Sequence, residues 1–312
     1  MTTRIPDRRH PIERPYILHM FTPGRQMSPF DINMAADAGY QLLPTYTEVA
    51  LDGVYGLTQD AIFSRGPSGV ARTGIFIGGR DVMLAADMLD AAKKAMVPPF
   101  VVSVMADPSG SYTTAAALVA CVEQQLRKVH GEEFAGKRVT ILGGTGTVGR
   151  IAGVLAAQLG ATVRLSSHLG EATARKAADE TNARFGSTLG AVSGANADEV
   201  SASIADAEVV MATAAAGIQV LGETGRASAA KLLVAADVNA VPPTGIAGVG
   251  VMDNGRLLPD CRAVGIGALA IGNVKYQVQH RLLLRMRGAE QAVYLSFPEA
   301  LALAREILRE NI

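Results

Sequence analysis

The chain has 312 residues, 49% of them hydrophobic and 19% charged, with 29 basic and 29 acidic side chains and a net charge of zero. That length suits about two domains with real cores and excludes a disordered chain. The neutral balance offers no surface for a polyanion, so no nucleic-acid partner is expected, and Cys121 and Cys261 are too few for a disulfide framework and lack metal-site spacing, so no metal is expected.

Residues 1–15 are polar and proline-bearing without the apolar h-region of a secretory signal, and read as a flexible arm. No run of apolar residues is long enough to span a membrane, so no membrane partner is expected, and the cysteine usage suits a reducing cytoplasm. Tyr16–Phe21 reads as the first strand, Asp31–Ala38 as a helix stopped by Gly39, Thr45–Leu51 as a strand or helix entry, and Leu57–Phe63 as a short helix. Arg72–Gly78 reads as a buried strand, Asp81–Met96 as a helix stopped by Pro98 and Pro99, Phe100–Met105 as a strand, and Thr113–Val129 as a helix. This alternation implies a parallel α/β sheet over residues 16–130, with a boundary at His130–Gly136.

A second domain, 131–312, opens on the stretch KRVTILGGTGTVG. Arg138–Leu142 is a buried strand, and Ile151–Leu159 an apolar helix closed by Gly160. Between them, Gly144, Gly146 and Gly149 fit the G-x-G-x-x-G spacing of a doubly wound, Rossmann-type dinucleotide fold. The first glycine allows the tight turn, the second admits a pyrophosphate, and the third lets the helix pack close to the strand. Gly144, Thr145, Gly146, Thr147, Val148 and Gly149 are therefore the expected phosphate cradle. Gly143, Gly146 and Gly149 also fit the pattern of short-chain dehydrogenases. None of the seven tyrosines has a lysine four residues on, however, which disfavours that family. Further strands are expected at Ala161–Leu165, Glu208–Thr213, Lys231–Ala236 and Ala263–Gly265, and helices at Thr173–Phe185, Ile271–Arg287 and Phe297–Arg309, one of the last two returning to the first domain.

NAD-specific folds place a carboxylate at the tip of the second strand. Here Ser166, Ser167 and His168 occupy that place, and the next carboxylate is Glu171. These side chains can hydrogen-bond a 2′-hydroxyl or a 2′-phosphate, so the site reads as permissive for NAD or NADP. The small residues around Ala214 leave room for the nicotinamide ribose, and Asn239 precedes a rigid Pro-Pro loop at the same sheet edge. Asp107, Ser109, Gly110, Ser111, Thr113 and Thr114 offer hydroxyls and helix-start amides toward a cleft ligand. The apolar, glycine-rich stretch from Gly265 is expected to be a loop ending in Lys275.

Taken together, ADPSGSYTTAAA, GGTGTVG, VAADVNAVPPTGIAG and GIGALAIGNVKYQ resemble the methylene-tetrahydromethanopterin dehydrogenases of methylotrophic bacteria. HMFTPGRQMSPFDINMAADAG resembles the branch that accepts both NAD and NADP. The resemblance covers nearly all of residues 16–312. It implies oxidation of the methylene bridge of a tetrahydromethanopterin-type C1 carrier, with hydride passed to NAD(P)+ and the pterin held between the two domains. It also implies a homo-oligomer, a trimer or a hexamer. The NADP-specific branch carries an Arg-Lys pair where this chain has His168 and Leu169, which disfavours strict NADP specificity.

Hydride loss from a carbon between two nitrogens leaves a delocalised cation, so no general base is expected. Lys275 is expected to anchor a remote part of the pterin, assisted by Asp107, Ser109, Ser111 and Thr114. The rival readings are a methylene-tetrahydrofolate dehydrogenase and a non-catalytic NAD(P)-binding regulatory protein.

Overall fold

The computed structural model describes residues 14–259 and 261–310, so most of the expected N-terminal arm lies outside the described residues. In chain order the elements are β1 (Ile17–Phe21), α1 (Pro29–Asp37), β2 (Thr45–Tyr46), α2 (Gly53–Phe63), α3 (Pro67–Val70), β3 (Thr73–Ile77), α4 (Val82–Lys94), β4 (Ser103–Ala106) and α5 (Ser111–Gln125). They continue as β5 (Arg138–Leu142), α6 (Thr147–Gln158), β6 (Thr162–Ser167), α7 (Glu171–Phe185), β7 (Gly190–Ser193), α8 (Ala197–Ile204), β8 (Val209–Ala212) and α9 (Glu223–Ser228). The last are β9 (Val234–Asp237), β10 (Asn254–Leu257), β11 (Val264–Ile266), α10 (Ala268–Gly288), β12 (Tyr294–Leu295) and α11 (Phe297–Glu310).

Two sheets form, in the orders β12-β4-β3-β1-β2 and β10-β11-β9-β8-β5-β6-β7. Every pairing is parallel except β10 against β11. Parallel sheets need cover on both faces, and β3, β4, β8 and β9 are accordingly buried along their whole length. In the second sheet the chain leaves β5 toward β6 and β7, then returns to the other side for β8 and β9. The crevice at the carboxyl end of β5 is thus a topological switch point, where such sheets bind ligands.

Helix α5 is the spine of the molecule. Thirteen of its fifteen residues are buried, as befits a helix apolar on every side. It packs against α6, α10 and α11 and touches β9 and β11 of the second sheet. Its last turn widens into a π-helical Leu126–His130 before Gly131 stops it at φ +67°. Helix α11 starts at Phe297, whose ring meets Tyr112 of α5 at 5.2 Å and Phe185 of α7 at 5.3 Å, both edge-on. This aromatic triad joins the two halves. Phe297→Ala will therefore cost about 3–5 kcal/mol of unfolding free energy, read from urea denaturation.

Several elements differ from the sequence reading. The stretch from Gly265 is not a loop up to Lys275, which lies inside the expected helix over Ile271–Arg287. Strand β11 fills its start and α10 begins at Ala268, so Lys275 projects from a helix. Gly272 weakens the helical pattern there, but tertiary packing overrides a single glycine. The expected entry at Thr45–Leu51 keeps only a two-residue strand. Short elements that carry no apolar run of their own, β7, β10, β12, α3, α8 and α9, were not foreseen.

Candidate functional site

The glycine loop between β5 and α6 shows three separate demands on three glycines. A Cβ on Gly144 would lie 2.7 Å from the Ile141 carbonyl oxygen, inside the turn. One on Gly149 would lie 2.6 Å from the Gly144 Cα and 2.7 Å from the Thr213 hydroxyl, between helix and turn. One on Gly146 would meet no atom nearer than the Gly143 carbonyl oxygen at 3.5 Å, so the protein itself leaves that space open. Gly146 is the N-cap of α6 and has no side chain to cap it. The first amides of this twelve-residue helix, from Thr147, Val148 and Gly149, therefore lack a side-chain cap and carry the positive end of the helix dipole. Ala214 backs the loop, with its backbone 2.7 Å from where a Gly143 Cβ would be. Thr145 lends its carbonyl to Arg150 at 2.9 Å. An uncapped helix start behind an open glycine is the shape a dinucleotide pyrophosphate requires, so the residues fit that group.

At the tip of β6, Ser166 and Ser167 are buried while His168 and Leu169 are exposed. The Ser167 hydroxyl accepts from the Leu169 amide at 3.1 Å, and Ser166 faces Gly194 of the loop after β7. The cations near this tip are engaged, Arg164 with Asp206 and Arg175 with Glu171. The Asn239 side chain is engaged within its own loop. It accepts from the Gly217 and Val241 amides and donates to the Pro243 carbonyl at 2.8 Å.

A groove of about 870 Å³ opens at the carboxyl ends of β1 and β3, lined by Thr22–Pro29, Asp31, Gly79–Asp81, Leu84 and Ser109. Beside it lies a buried polar cluster drawn from three distant segments. Asp107, with no exposed surface, accepts from the Tyr112 amide at 3.0 Å, the Thr113 amide at 3.2 Å and the Thr113 hydroxyl at 2.7 Å. Burial pushes its carboxyl pKa upward, while Lys275 and these donors pull it down. Lys275 donates to Gln279 Oε1 at 2.6 Å, and its ammonium sits 3.8 Å from the Phe30 ring centroid. Burial lowers its pKa, opposed by Asp107 and then Asp31. Gln279, wholly buried, turns its other end to Asp31 and donates to Oδ1 at 2.7 Å. Asp31 is pushed up to about 7, first by burial and then by Asp107.

The expected substrate residues divide among roles. Gly110 stands at φ +67° with the Lys275 stem against it. Ser109 donates to the Gly79 carbonyl at 2.8 Å on the groove rim, and Thr114 donates back to the Gly110 carbonyl at 2.7 Å. Ser111 donates to the Thr147 hydroxyl at 2.8 Å. One hydrogen bond thus ties the start of α5, beside the groove, to the start of α6, beside the glycine loop. The structure brings Asp107, Gly110, Thr113 and Lys275 together and adds Asp31, Phe30 and Gln279, none of which the sequence reading named. An acid in the first turn of a helix reads as a dipole partner, and the glutamine that reveals its second use lies 248 residues away. Among the described residues no cluster of His, Cys, Asp and Glu could hold a metal, and no helix is long and apolar enough to cross a membrane.

Comparison with known proteins yields four likenesses. Residues 29–109 match the family model described as methylene-tetrahydromethanopterin dehydrogenase, N-terminal. The chain is 50% identical, over 93% of its length and 98% of the relative's, to the NAD(P)-dependent methylenetetrahydromethanopterin dehydrogenase of Methylorubrum extorquens. It is 32% identical over the same shares to the bifunctional protein MdtA of that organism. Among solved structures, shikimate 5-dehydrogenase from Listeria monocytogenes aligns over 99% of both chains with a TM-score of 0.46 and 14% identity.

Proposed function

The chain belongs to the methylenetetrahydromethanopterin dehydrogenases, and we propose that it divides the reaction between the two crevices described above. It is an NAD(P)-dependent oxidoreductase that oxidises methylene-tetrahydromethanopterin to the methenyl form. Bound NAD(P)+ supplies the hydride acceptor. The helix start at Thr147–Gly149 holds the pyrophosphate, and Ser166, Ser167 and His168 face the adenosine ribose. The bare residues around Ala214 and the loop braced by Asn239 flank the nicotinamide side.

The 870 Å³ groove takes the pterin, and Lys275 hydrogen-bonds a part of it remote from the reacting carbon. Gln279 and the charge of Asp107, itself held by Thr113, keep Lys275 against Gly110, while Ser109, Ser111 and Thr114 shape the rim. No side chain has to remove a proton, because the hydrogen leaves with both bonding electrons. The protein aligns two rings and excludes water. Residues 16–130, completed by β12 and by Lys275 and Gln279 of α10, then form the carrier-binding part and the second sheet carries the nucleotide-binding part, with the C-terminal helices packed back on α5. The observation that carries this reading is the open space at Gly146 in front of an uncapped helix, whose start is tied by the Ser111–Thr147 hydrogen bond to the start of α5.

Wild-type protein given methylene-tetrahydromethanopterin will reduce both NAD+ and NADP+, followed by absorbance of the reduced nicotinamide. Reduction of one cofactor alone would refute the permissive reading of Ser166–His168. Silence with both would refute the reaction. We also place the enzyme in the cytoplasm as a homo-oligomer. Leu51, Tyr55 and Phe63 present an exposed apolar strip around α2, and light scattering of the purified protein will show more than one copy.

A further inference from the structure

Oxidation of the carrier moves a positive charge across the cleft. The nicotinamide begins as a cation and ends neutral, while the pterin's methylene carbon begins neutral and ends as a methenyl cation. One C–H bond breaks, one forms, two electrons travel with the hydrogen, and no proton is released. The net charge in the cleft is unchanged, but it shifts from the second sheet toward the first. A fixed negative charge on the first-sheet side therefore favours the forward step, and a fixed positive charge opposes it.

The groups on that side are few. Asp31, on the first turn of α1, is 3% exposed and lines the groove. Asp107 comes from the β4–α5 turn and Lys275 from α10. Arg25, Arg80 and Asp81 stand on the groove's outer wall. Asp107 and Lys275 are of opposite formal charge and each favours the other's ionised form, so their charges offset. Whether the inner cluster carries a net negative charge then depends on Asp31 alone. Gln279 fixes how Asp31 is held, because its amide donates to Asp31 Oδ1 and accepts from Lys275.

We propose that Asp31 is the counter-charge of this enzyme, the carboxylate whose ionised form draws the developing methenyl cation toward the first sheet. This rests on the reading of the groove as the pterin site. Burial and Asp107 raise the Asp31 pKa to about 7, so the counter-charge is absent in acid and present in base. The forward rate rises with pH through neutrality although the chemistry involves no proton. Asp31 also binds its proton more tightly in the folded state than unfolded, so its ionisation subtracts stability as pH climbs from about 4 to 7 and the loss persists above.

The test is Asp31→Asn, which keeps the shape and the acceptor oxygen for Gln279. Three quantities are measured in full-length wild type and variant between pH 5.5 and 9. They are kcat/KM for the oxidation, the ratio of Kd for methylene- to methenyl-tetrahydromethanopterin by fluorescence titration, and the melting temperature. In wild type the rate and the preference for the cationic form should both rise through pH 7. In the variant both should be flat, with the preference for the cation lower on the order of tenfold above pH 8. The variant should melt no lower than wild type at pH 8, because it removes a buried charge. A variant that keeps the pH-dependent rise, or keeps the cation preference, overturns the proposal. So does a variant that loses activity only in step with its melting temperature, since that marks a structural role. Wild type that fails to turn over the carrier at any pH would instead overturn the pterin reading itself.

Discussion

A Gly146→Ala variant will melt with the wild type yet bind NAD+ and NADP+ about 100-fold more weakly, a loss of the size a misplacement of about 1 Å produces. The backbone at Gly146 has φ −73° and ψ 170°, which alanine adopts freely. The added methyl would meet no atom nearer than 3.5 Å, so nothing in the free protein resists it. Exchanging glycine for alanine at an N-cap costs only a modest part of the helix's stability. The methyl would, however, stand in front of the Thr147–Gly149 amides, in the space a pyrophosphate must enter. Gly149→Ala supplies the contrast. Its methyl would lie 2.6 Å from the Gly144 Cα, so the helix or the turn has to move. That variant should lose about 1–3 kcal/mol of stability along with the cofactor. Calorimetric titration beside thermal melts separates the two. If Gly146→Ala bound nucleotide as wild type does, the glycine loop would not be the phosphate cradle.

Lys275→Met should cut kcat/KM for the carrier by at least about 100-fold and leave the Kd for NAD+ within about twofold of wild type. Methionine keeps the stem that lies along Gly110 and Phe30 but removes the ammonium. A hydrogen bond from a charged donor is worth about 1.5–3 kcal/mol, and losing its hold on the pterin also spoils alignment with the nicotinamide. The cofactor should be indifferent, because Lys275 belongs to the polar cluster with Asp31, Asp107 and Gln279 beside the groove of the first sheet. The change also leaves the buried Asp107 carboxylate without its neighbouring cation, so the variant should melt lower, most clearly at alkaline pH where a carboxylate with a raised pKa is ionised. Steady-state kinetics with each substrate varied, beside direct nucleotide titration, would decide it. Unchanged kcat/KM, or an equal loss of NAD+ affinity, would remove Lys275 from the pterin site.

The sequence made the repetitive parts of the fold readable. Strands buried on both faces announce themselves as apolar runs, as at Arg138–Leu142 and Thr73–Ile77, and the glycine triplet marks the turn that opens α6. Edge elements were not legible. Gly190–Ser193 is half-buried throughout and Asn254–Leu257 mostly exposed, so neither carries the alternation or the run that betrays a strand. The site split along the same line. The phosphate cradle is local, three residues of turn and three of helix, and local patterns survive in one dimension. The charged cluster is not. Asp31 reads as a helix-start acid until Gln279 arrives from α10, and Lys275 reads as closing a glycine-rich stretch because Gly272 weakens the helical pattern before it.

Strand β12 carries a consequence for how the chain is made. Tyr294 and Leu295 pair with Val104 and Met105, so the edge of the first sheet is closed by residues that follow Met105 by 190 positions (295 − 105). A ribosome adding about 5–20 residues per second needs about 10–40 s to deliver them. Through that interval the β4 edge offers bare N–H and C=O groups, a template for pairing with another chain. The half of the protein synthesised first is therefore the half completed last, and its exposure to misassembly is set by translation speed as much as by its final stability.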